Sequence, residues 1–401
     1  MTTVRVGPVT DFAALGQRWR TLEQCAAGSF FQSWTWVGCL AAERYADPIL
    51  VEAAEDGRTV ALALFNRRRH GPGFSTLYLH ETGVPAQDCP YIEQNGVLTE
   101  AGREAELTLL VLAAVARRYR LVLSGVEGPV LTAARRAATL FVIRREQAAA
   151  YANLAAIRRS GSEVLGACSA NTRQQVRRSD RLFQQHGLIR VRREDTPKGA
   201  QERLDHLAAL HQAAWQARGQ TGCFAQPFFT RFHRALITEG LPRGEIALLH
   251  VSAGAVTIGV LYNFVWRGRM LAYQSGFDYP PCEKRAKPGL TCHHAAMRYA
   301  LDAGLDTYDF LAGDDRYKRS LSGAARPMAW ASCGPAFRVD LAAEWVRQQL
   351  CQVAGIDLSP EPIRPVSIPA SMAAMVRAAR AATHPPLPAA AGPPPPPAAA
   401  D

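Results

Sequence analysis

Residues 307–318 read TYDFLAGDDRYK. Side chains alternate along a strand, so Thr307, Asp309 and Leu311 share one face and Tyr308, Phe310 and Ala312 the other. Both faces are largely apolar, yet Asp309 sits in the middle. A carboxylate in that setting needs a cation, several donors or a proton. The strand then stops at Gly313 and presents Asp-Asp-Arg-Tyr-Lys in quick succession. Asp309 is either a structural ion-pair partner or part of a site, and the strand alone leaves both open.

Working outward, a helix-like run, KPGLTCHHAAMRYALDAG (287–304), precedes this strand. Before it, residues 245–278 read as strand, Ala-Gly turn, strand, Arg-Gly turn, strand. Glycine turns between β-rich runs are the hairpin signal. The first half repeats the order. Residues 49–68 read as strand, Asp-Gly turn, strand, with a third strand at 75–80. Helix-like stretches stand before each triplet, and a helix and a further strand follow it (REAELTLLVLAAVARRY then RLVLSGV in the first half). The expected unit is αα-βββ-αβ, occurring twice. A basic segment, 169–194, lies between the copies. Arg173, Arg177, Arg178 and Arg181 fall at helical spacing there, as a solvated helix face or as an anion-binding rim between the halves.

The chain has 401 residues and a formal charge of +11, with ample apolar material for a core. The positive balance suits an anionic partner: nucleic acid, a membrane surface, a polyanion or a phosphorylated small molecule. Nine cysteines at irregular spacing, none in a C-x-x-C pair, argue against a disulfide framework and a zinc site. Reduced thiols in a cytoplasmic protein are expected. The N-terminal residues lack a basic stretch followed by an apolar one, so no secretory signal is expected. The apolar run 107–116 is too short to span a bilayer and reads as a buried helix. From about residue 360 proline and alanine dominate. Residues 361–401 are expected to be disordered, interrupted at most by a short helix near 371–382. Neither G-x-S-x-G, P-loop nor H-E-x-x-H occurs.

The strand–helix–strand order, with D-F-x-x-G-x-x-x-Y-K at 309–318 as its most specific motif, resembles the GNAT acyltransferases. The chain is similar in particular to the double-GNAT family of CelD-like proteins from bacterial polysaccharide loci, and more distantly to Fem-type peptidyltransferases. Further residues carry the resemblance: Ser169-x-x-x-Arg173-x-x-x-Arg177; Leu207, Leu210, His211, Trp215, Arg218 and Gly219; AYQSGFD (272–278); and, more loosely, FFQSWTW (30–36) and DCPYIEQNGVL (88–98). The resemblance implies an α+β (α/β) fold of two tandem GNAT-like domains, with mixed central sheets flanked by helices. Residues 1–160 would shape an acceptor groove and residues 161–350 would bind the donor.

Acyl transfer from a thioester needs a slot for the pantetheine arm, an anion site, oxyanion donors and proton transfer. The resemblance implies a slot between strands 270–278 and 306–312. Tyr273, Gln274, Ser275 and Gly276 would line it and lend backbone N–H groups. The helix opening at Gly289 and Leu290 would face phosphate, with Lys284, Arg285 and Lys287 crowding its start. Tyr317 would protonate the leaving thiolate, Lys318 would bind phosphate or the oxyanion, and Asp309 would act as base or fix Lys318. Arg173, Arg177, Trp215, Arg218 and Glu93 are the expected acceptor-side residues. His211 and Trp215 read as core packing on one helix face. His293 and His294, being adjacent on a helix, do not share a face and so do not suggest a metal. The implied co-substrate is acetyl-CoA or another acyl-CoA, with no metal, and the implied acceptor a small molecule or saccharide. The expected multi-glycine phosphate loop is replaced by KRAKPGL, with one glycine. That leaves a CoA thioester and an aminoacyl-tRNA both open as donor. A catalytically silent, polyanion-binding scaffold is the reading of a different class. No DNA partner and no membrane span are expected.

Overall fold

A pair of left-handed residues closes two of the hairpins and sets where their strands meet. In the computed structural model, Asp56 and Gly57 have φ of 50° and 79°, and Arg267 and Gly268 have 49° and 74°. These turns match the twist of the strands they join. The structure describes residues 1–353 other than 71–73, 86, 89–90, 280–284 and 314, with side chains to residue 351. Cys89, Cys282, Lys284 and the proline-rich segment 361–401 lie outside the described residues.

The first half runs β1 (Thr2–Pro8), α1 (Phe12–Glu23), α2 (Trp34–Arg44), β2 (Pro48–Glu55), β3 (Arg58–Arg69), β4 (Ser75–Leu79), the short β5 (Leu98–Thr99), α3 (Glu104–Ala116), β6 (Arg120–Val126), α4 (Gly128–Ala137) and β7 (Leu140–Asn153). After α5 (Leu154–Ser160) come α6 (Ala170–Gln184), β8 (Ile189–Arg193), α7 (Pro197–Gln216), α8 (Pro227–Gly240), β9 (Ile246–Ala253), β10 (Val256–Trp266), β11 (Arg269–Phe277), α9 (Pro288–Asp302), β12 (Thr307–Ala312), α10 (Arg316–Leu321), β13 (Ala324–Gly334) and α11 (Val339–Val353). Several helices start where a side chain caps them. Asp11 accepts from the Ala14 amide at 2.8 Å and Ser169 from the Thr172 amide at 3.2 Å, each meeting an otherwise unpaired N–H.

The repeated order expected from the sequence is present, but its two sheets are one. The strand order is β1-β2-β3-β4-β6-β13-β7-β12-β11-β10-β9-β8, with β5 pairing β3. The join is an exchange. The last strand of the first half, β7, pairs with β12, and the last strand of the second half, β13, pairs with both β6 and β7.

Alternation along the strands sends side chains to opposite layers. Leu62 and Leu64 of β3, with Val260, Tyr262 and Phe264 of β10, join helices α1, α2, α7 and α8 in one core that runs across both halves. Phe30 stacks on Phe264 at 4.1 Å between centroids, and the Trp266 indole donates to the Gly28 carbonyl at 2.7 Å. On the other face α3 and α4 cover the first half, and α5, α6 and α9 the second.

We propose that residues 1–160 and 161–350 are repeat units rather than bodies that fold alone, because each donates a strand to the other. A fragment comprising 1–160, or 161–353, is expected to lack a cooperative unfolding transition by circular dichroism. Co-expression of the pair is expected to restore one. A fragment that unfolds cooperatively alone would show that the exchanged strand is dispensable.

Candidate active site

Strands β11 and β12 run parallel and pair only from Arg269 with Thr307 to Leu271 with Asp309. Beyond that point they separate. β11 stays on β10 as far as Phe277. β12 slips its register against β7 between Asp309 and Ala312, where Leu311 adopts a φ of 62°. A left-handed leucine is strained, and surrounding contacts must hold it. They do: the Leu311 amide donates to Asp309 Oδ1 at 2.8 Å.

Asp309 is the anchor of this bend. Its side chain is fully buried. Oδ2 accepts from Arg269 Nη2 of β11 and Gln94 Nε2 of the first half, both at 2.8 Å, and from Arg326 of β13. The carboxylate is met by two guanidiniums, an amide side chain and a backbone N–H. It does not line the opening, and its partners are these rather than Lys318. Glu93, next to Gln94, is also buried and outside the opening; its Oε2 accepts from the Ala312 amide at 2.6 Å. Lys318 Nζ donates to the carbonyl of the same Ala312 at 2.6 Å. Burial raises the Glu93 carboxyl to about 7, against the pull of the nearby Lys318 charge.

The opening between β11 and β12 is a cavity of about 500 Å³. Tyr273, Gln274, Ser275 and Gly276 of β11 form one wall. Lys287, Gly289 and Leu290 line it at the start of α9, with Tyr317 and Lys318 of α10 at its floor. Trp215 of α7 and Arg218, just past its end, also line it. Gly276 is needed here for space: a Cβ would stand 2.6 Å from the Leu207 carbonyl oxygen of α7. Arg285 is exposed and not part of the lining. Arg173 instead donates to the Cys168 carbonyl, and Arg177 pairs with Glu163 at 2.9 Å. The basic helix α6 therefore reaches the site only indirectly. Its Ser179 Oγ accepts from the Lys287 amide at 2.8 Å and bonds Thr291, and Asp180 holds His294 at 2.9 Å, which seats the first turns of α9.

Sequence reasoning missed His293, which lines the cavity while being only 2% exposed. Its ring stacks on Tyr317 at 5.0 Å and 17°. Burial first, and the Lys318 charge second, lower its pKa to about 3. Burial pushes the Tyr317 phenol well above its ordinary value, so it keeps its proton at neutral pH. His211, expected in the core, also lines the cavity, stacked on Trp215 at 5.4 Å. Among the described residues no cluster fit to hold a metal is found, and no helix is long and apolar enough to cross a membrane.

In the first half the equivalent gap between parallel strands is occupied by the chain itself. β4 and β6 pair in parallel from Thr76 with Arg120 to Tyr78 with Val122. Where they would part, the chain inserts Asn95, whose amide donates to the Gly125 carbonyl at 2.9 Å and whose Nδ2 donates to the Leu79 carbonyl at 3.0 Å.

Residues 170–319 match the model of the acetyltransferase (GNAT) domain. The chain is similar to the crystal structure of FemX, with 11% identity and a TM-score of 0.54, covering 87% of this chain and 99% of that one. It is also similar to the C-terminal domain of a putative lysylphosphatidylglycerol synthetase from Agrobacterium fabrum, with 12% identity and a TM-score of 0.50, covering 84% and 96%. The fold is GNAT-like at 170–319, and the first half repeats the same order of helices and strands. At these identities the likeness to solved structures is one of fold. Among curated protein sequences nothing matches significantly.

Two predictions follow from the anchor. Asp309→Asn leaves two arginines facing a neutral group and is expected to cost about 3–5 kcal/mol in urea denaturation; an unchanged midpoint would show that solvent, not Asp309, balances them. Glu93 gives a pH signature. The folded carboxyl sits near 7 and the ordinary value is 4.5, so between these values the unfolded chain releases the proton first and stability falls as pH rises. Glu93→Gln is expected to gain stability relative to the parent between about pH 5 and about pH 8. A pH-independent difference would mean Glu93 is ionised in both states.

Proposed function

We propose that the protein transfers an acetyl or longer acyl group from acyl-CoA to an amine or hydroxyl of a small molecule or saccharide. The observation that carries this reading is the opening between β11 and β12, with a protonated phenol and an ammonium at its floor and cations at its rim. The edge of β11 that β12 leaves beyond Leu271 suits the amides of a pantetheine arm. Arg218 and Lys287, both exposed and both lining the cavity, suit phosphate, aided by the N-terminus of α9.

In this reading Tyr317 holds the proton that the leaving thiolate needs, and Lys318 stabilises charge developing at the carbonyl oxygen. Asp309 is not a base; its four donors leave it a positioning role. Arg173 and Arg177 act on neither substrate. Trp215 and Tyr279 form the side from which an acceptor enters, and Glu93 supports the floor from behind. A cell-envelope polysaccharide as acceptor, in a CelD-like role, rests on the sequence resemblance.

A second donor is favoured by one feature. The α9 start offers one glycine, Gly289, with Phe277 3.2 Å from where its Cβ would be. A less enveloping phosphate cradle suits an aminoacyl-tRNA donor, as in Fem-type transferases.

Calorimetry with acetyl-CoA separates the two. Binding is expected, and Arg218→Ala with Lys287→Ala is expected to weaken it about tenfold or more, or ~1.4 kcal/mol, with the loss shrinking at high salt. Lys318→Ala is expected to lower turnover by about a hundredfold. Folded protein that binds no acyl-CoA would shift the reading to the aminoacyl donor. A Lys318→Ala variant with full biological function would point to a silent scaffold.

A further inference from the structure

His293 carries a buried ring N–H that, among the described residues, has nothing to donate to. Its Nδ1 lies 3.0 Å from the Tyr308 hydroxyl, and among the described residues that is the hydroxyl's partner. Tyr308 is fully buried, and burial keeps its phenol protonated. A buried O–H must donate, so Tyr308 donates to Nδ1 and the ring proton of neutral His293 sits on Nε2. Among the described residues Nε2 has no hydrogen-bond partner. Leaving such a donor unmet costs about 1–3 kcal/mol, and the ring lines the cavity. Whatever fills the cavity supplies the acceptor.

The surroundings select the kind of acceptor. Phe277, Phe310 and Tyr317 pack around the ring at centroid distances of 5.9, 5.4 and 5.0 Å. An aromatic cage with a neutral donor disfavours phosphate, whose charge is costly to desolvate; the rim cations suit it better. A carbonyl oxygen fits. The stacked Tyr317 narrows the choice to the thioester, since the sulfur that Tyr317 would protonate is bonded to that carbonyl carbon.

We propose that His293 is a catalytic residue whose neutral Nε2–H donates to the thioester carbonyl oxygen of the acyl donor. This rests on the acyl-CoA reading above. The acceptor's nitrogen or oxygen bonds to the carbonyl carbon, and the carbonyl electron pair moves onto oxygen, where His293 and Lys318 hold it. As the carbonyl re-forms and the C–S bond breaks, the thiolate takes the Tyr317 proton, and the proton lost from the acceptor's N–H or O–H passes through solvent to restore the phenol. His293 gains and loses none. The low imidazole pKa supports this role, because a neutral ring polarises without surrendering its proton.

The test reads the carbonyl itself. Isotope-edited infrared spectra of carbonyl-labelled acetyl-CoA bound to the full chain are expected to show a lower stretching frequency in the parent than in His293→Phe, with His293→Gln between. His293→Phe is expected to slow thiol release from acetyl-CoA by about a hundredfold while its Kd changes by less than about threefold. Should the Phe variant not fold, His293→Gln and Tyr308→Phe, which frees the tautomer, give the same comparison. An unchanged stretch, or unchanged thiol release, overturns the assignment. So does a weaker Kd with unchanged turnover, which would put Nε2 against the pantetheine arm. Parent protein that binds no acetyl-CoA removes the acyl-CoA reading itself, and this assignment with it.

Discussion

One buried carboxylate holds the middle of this protein together. Asp309 gathers Arg269 from β11, Arg326 from β13, Gln94 from the first half and the backbone of its own strand. A fully buried charge is tolerable only when matched and hydrogen-bonded, and here the matching groups come from four separate stretches of chain. Arg326 also lies over the Tyr151 ring of β7 at 4.8 Å. The ionic centre therefore stands where the exchanged strands cross. It holds Leu311 in its left-handed turn, and that turn takes β12 away from β11. The opening in the sheet is thus a by-product of how a charge is satisfied.

The same region ties the first half to the floor of the cavity. Glu93 accepts from the Ala312 amide and Lys318 donates to the Ala312 carbonyl. One residue, Ala312, is gripped at both its N–H and its C=O, by a residue of each half. In the first half, the equivalent gap between parallel strands is filled by Asn95, three chain positions from Ile92, whose carbonyl oxygen lies 2.4 Å from an imagined Cβ on Gly125. The two copies have diverged in a physically simple way. One closes its gap with its own chain, and residues beside that plug brace the gap the other keeps open.

Much of this was legible in the sequence, for reasons specific to each part. The hairpins were readable because Asp-Gly and Arg-Gly pairs mark turns that need positive φ. The cavity wall at 273–276 and the pair Tyr317 and Lys318 were readable through the family motif. β7 and β13 were not. Their sequences, with QAAAYA and AARPMAWAS, are rich in alanine, which has weak strand preference; only the pairing partners on both sides make them strands. The arginines of α6 resembled an anion site, because charge at helical spacing shows a face but not what the face meets. Here Arg173 meets the Cys168 carbonyl and Arg177 meets Glu163. His293 was set aside because neighbouring histidines on a helix cannot share a ligand. That argument excludes a metal and is silent about a single ring turned inward.

The sequence by itself determined the element order, its duplication, the turn positions and the apolar strand with a carboxylate in it. Local rules suffice for these: alternation, helical spacing and the conformational freedom of glycine. Tertiary structure alone decided that the two sheets merge, that Asp309 is gripped by four donors from separate stretches of chain, that Glu93 sits behind the cavity and that His293 sits in it. Each of these depends on which distant groups satisfy a buried charge or N–H. Partners 215 residues apart, such as Gln94 and Asp309, leave no local trace in the chain.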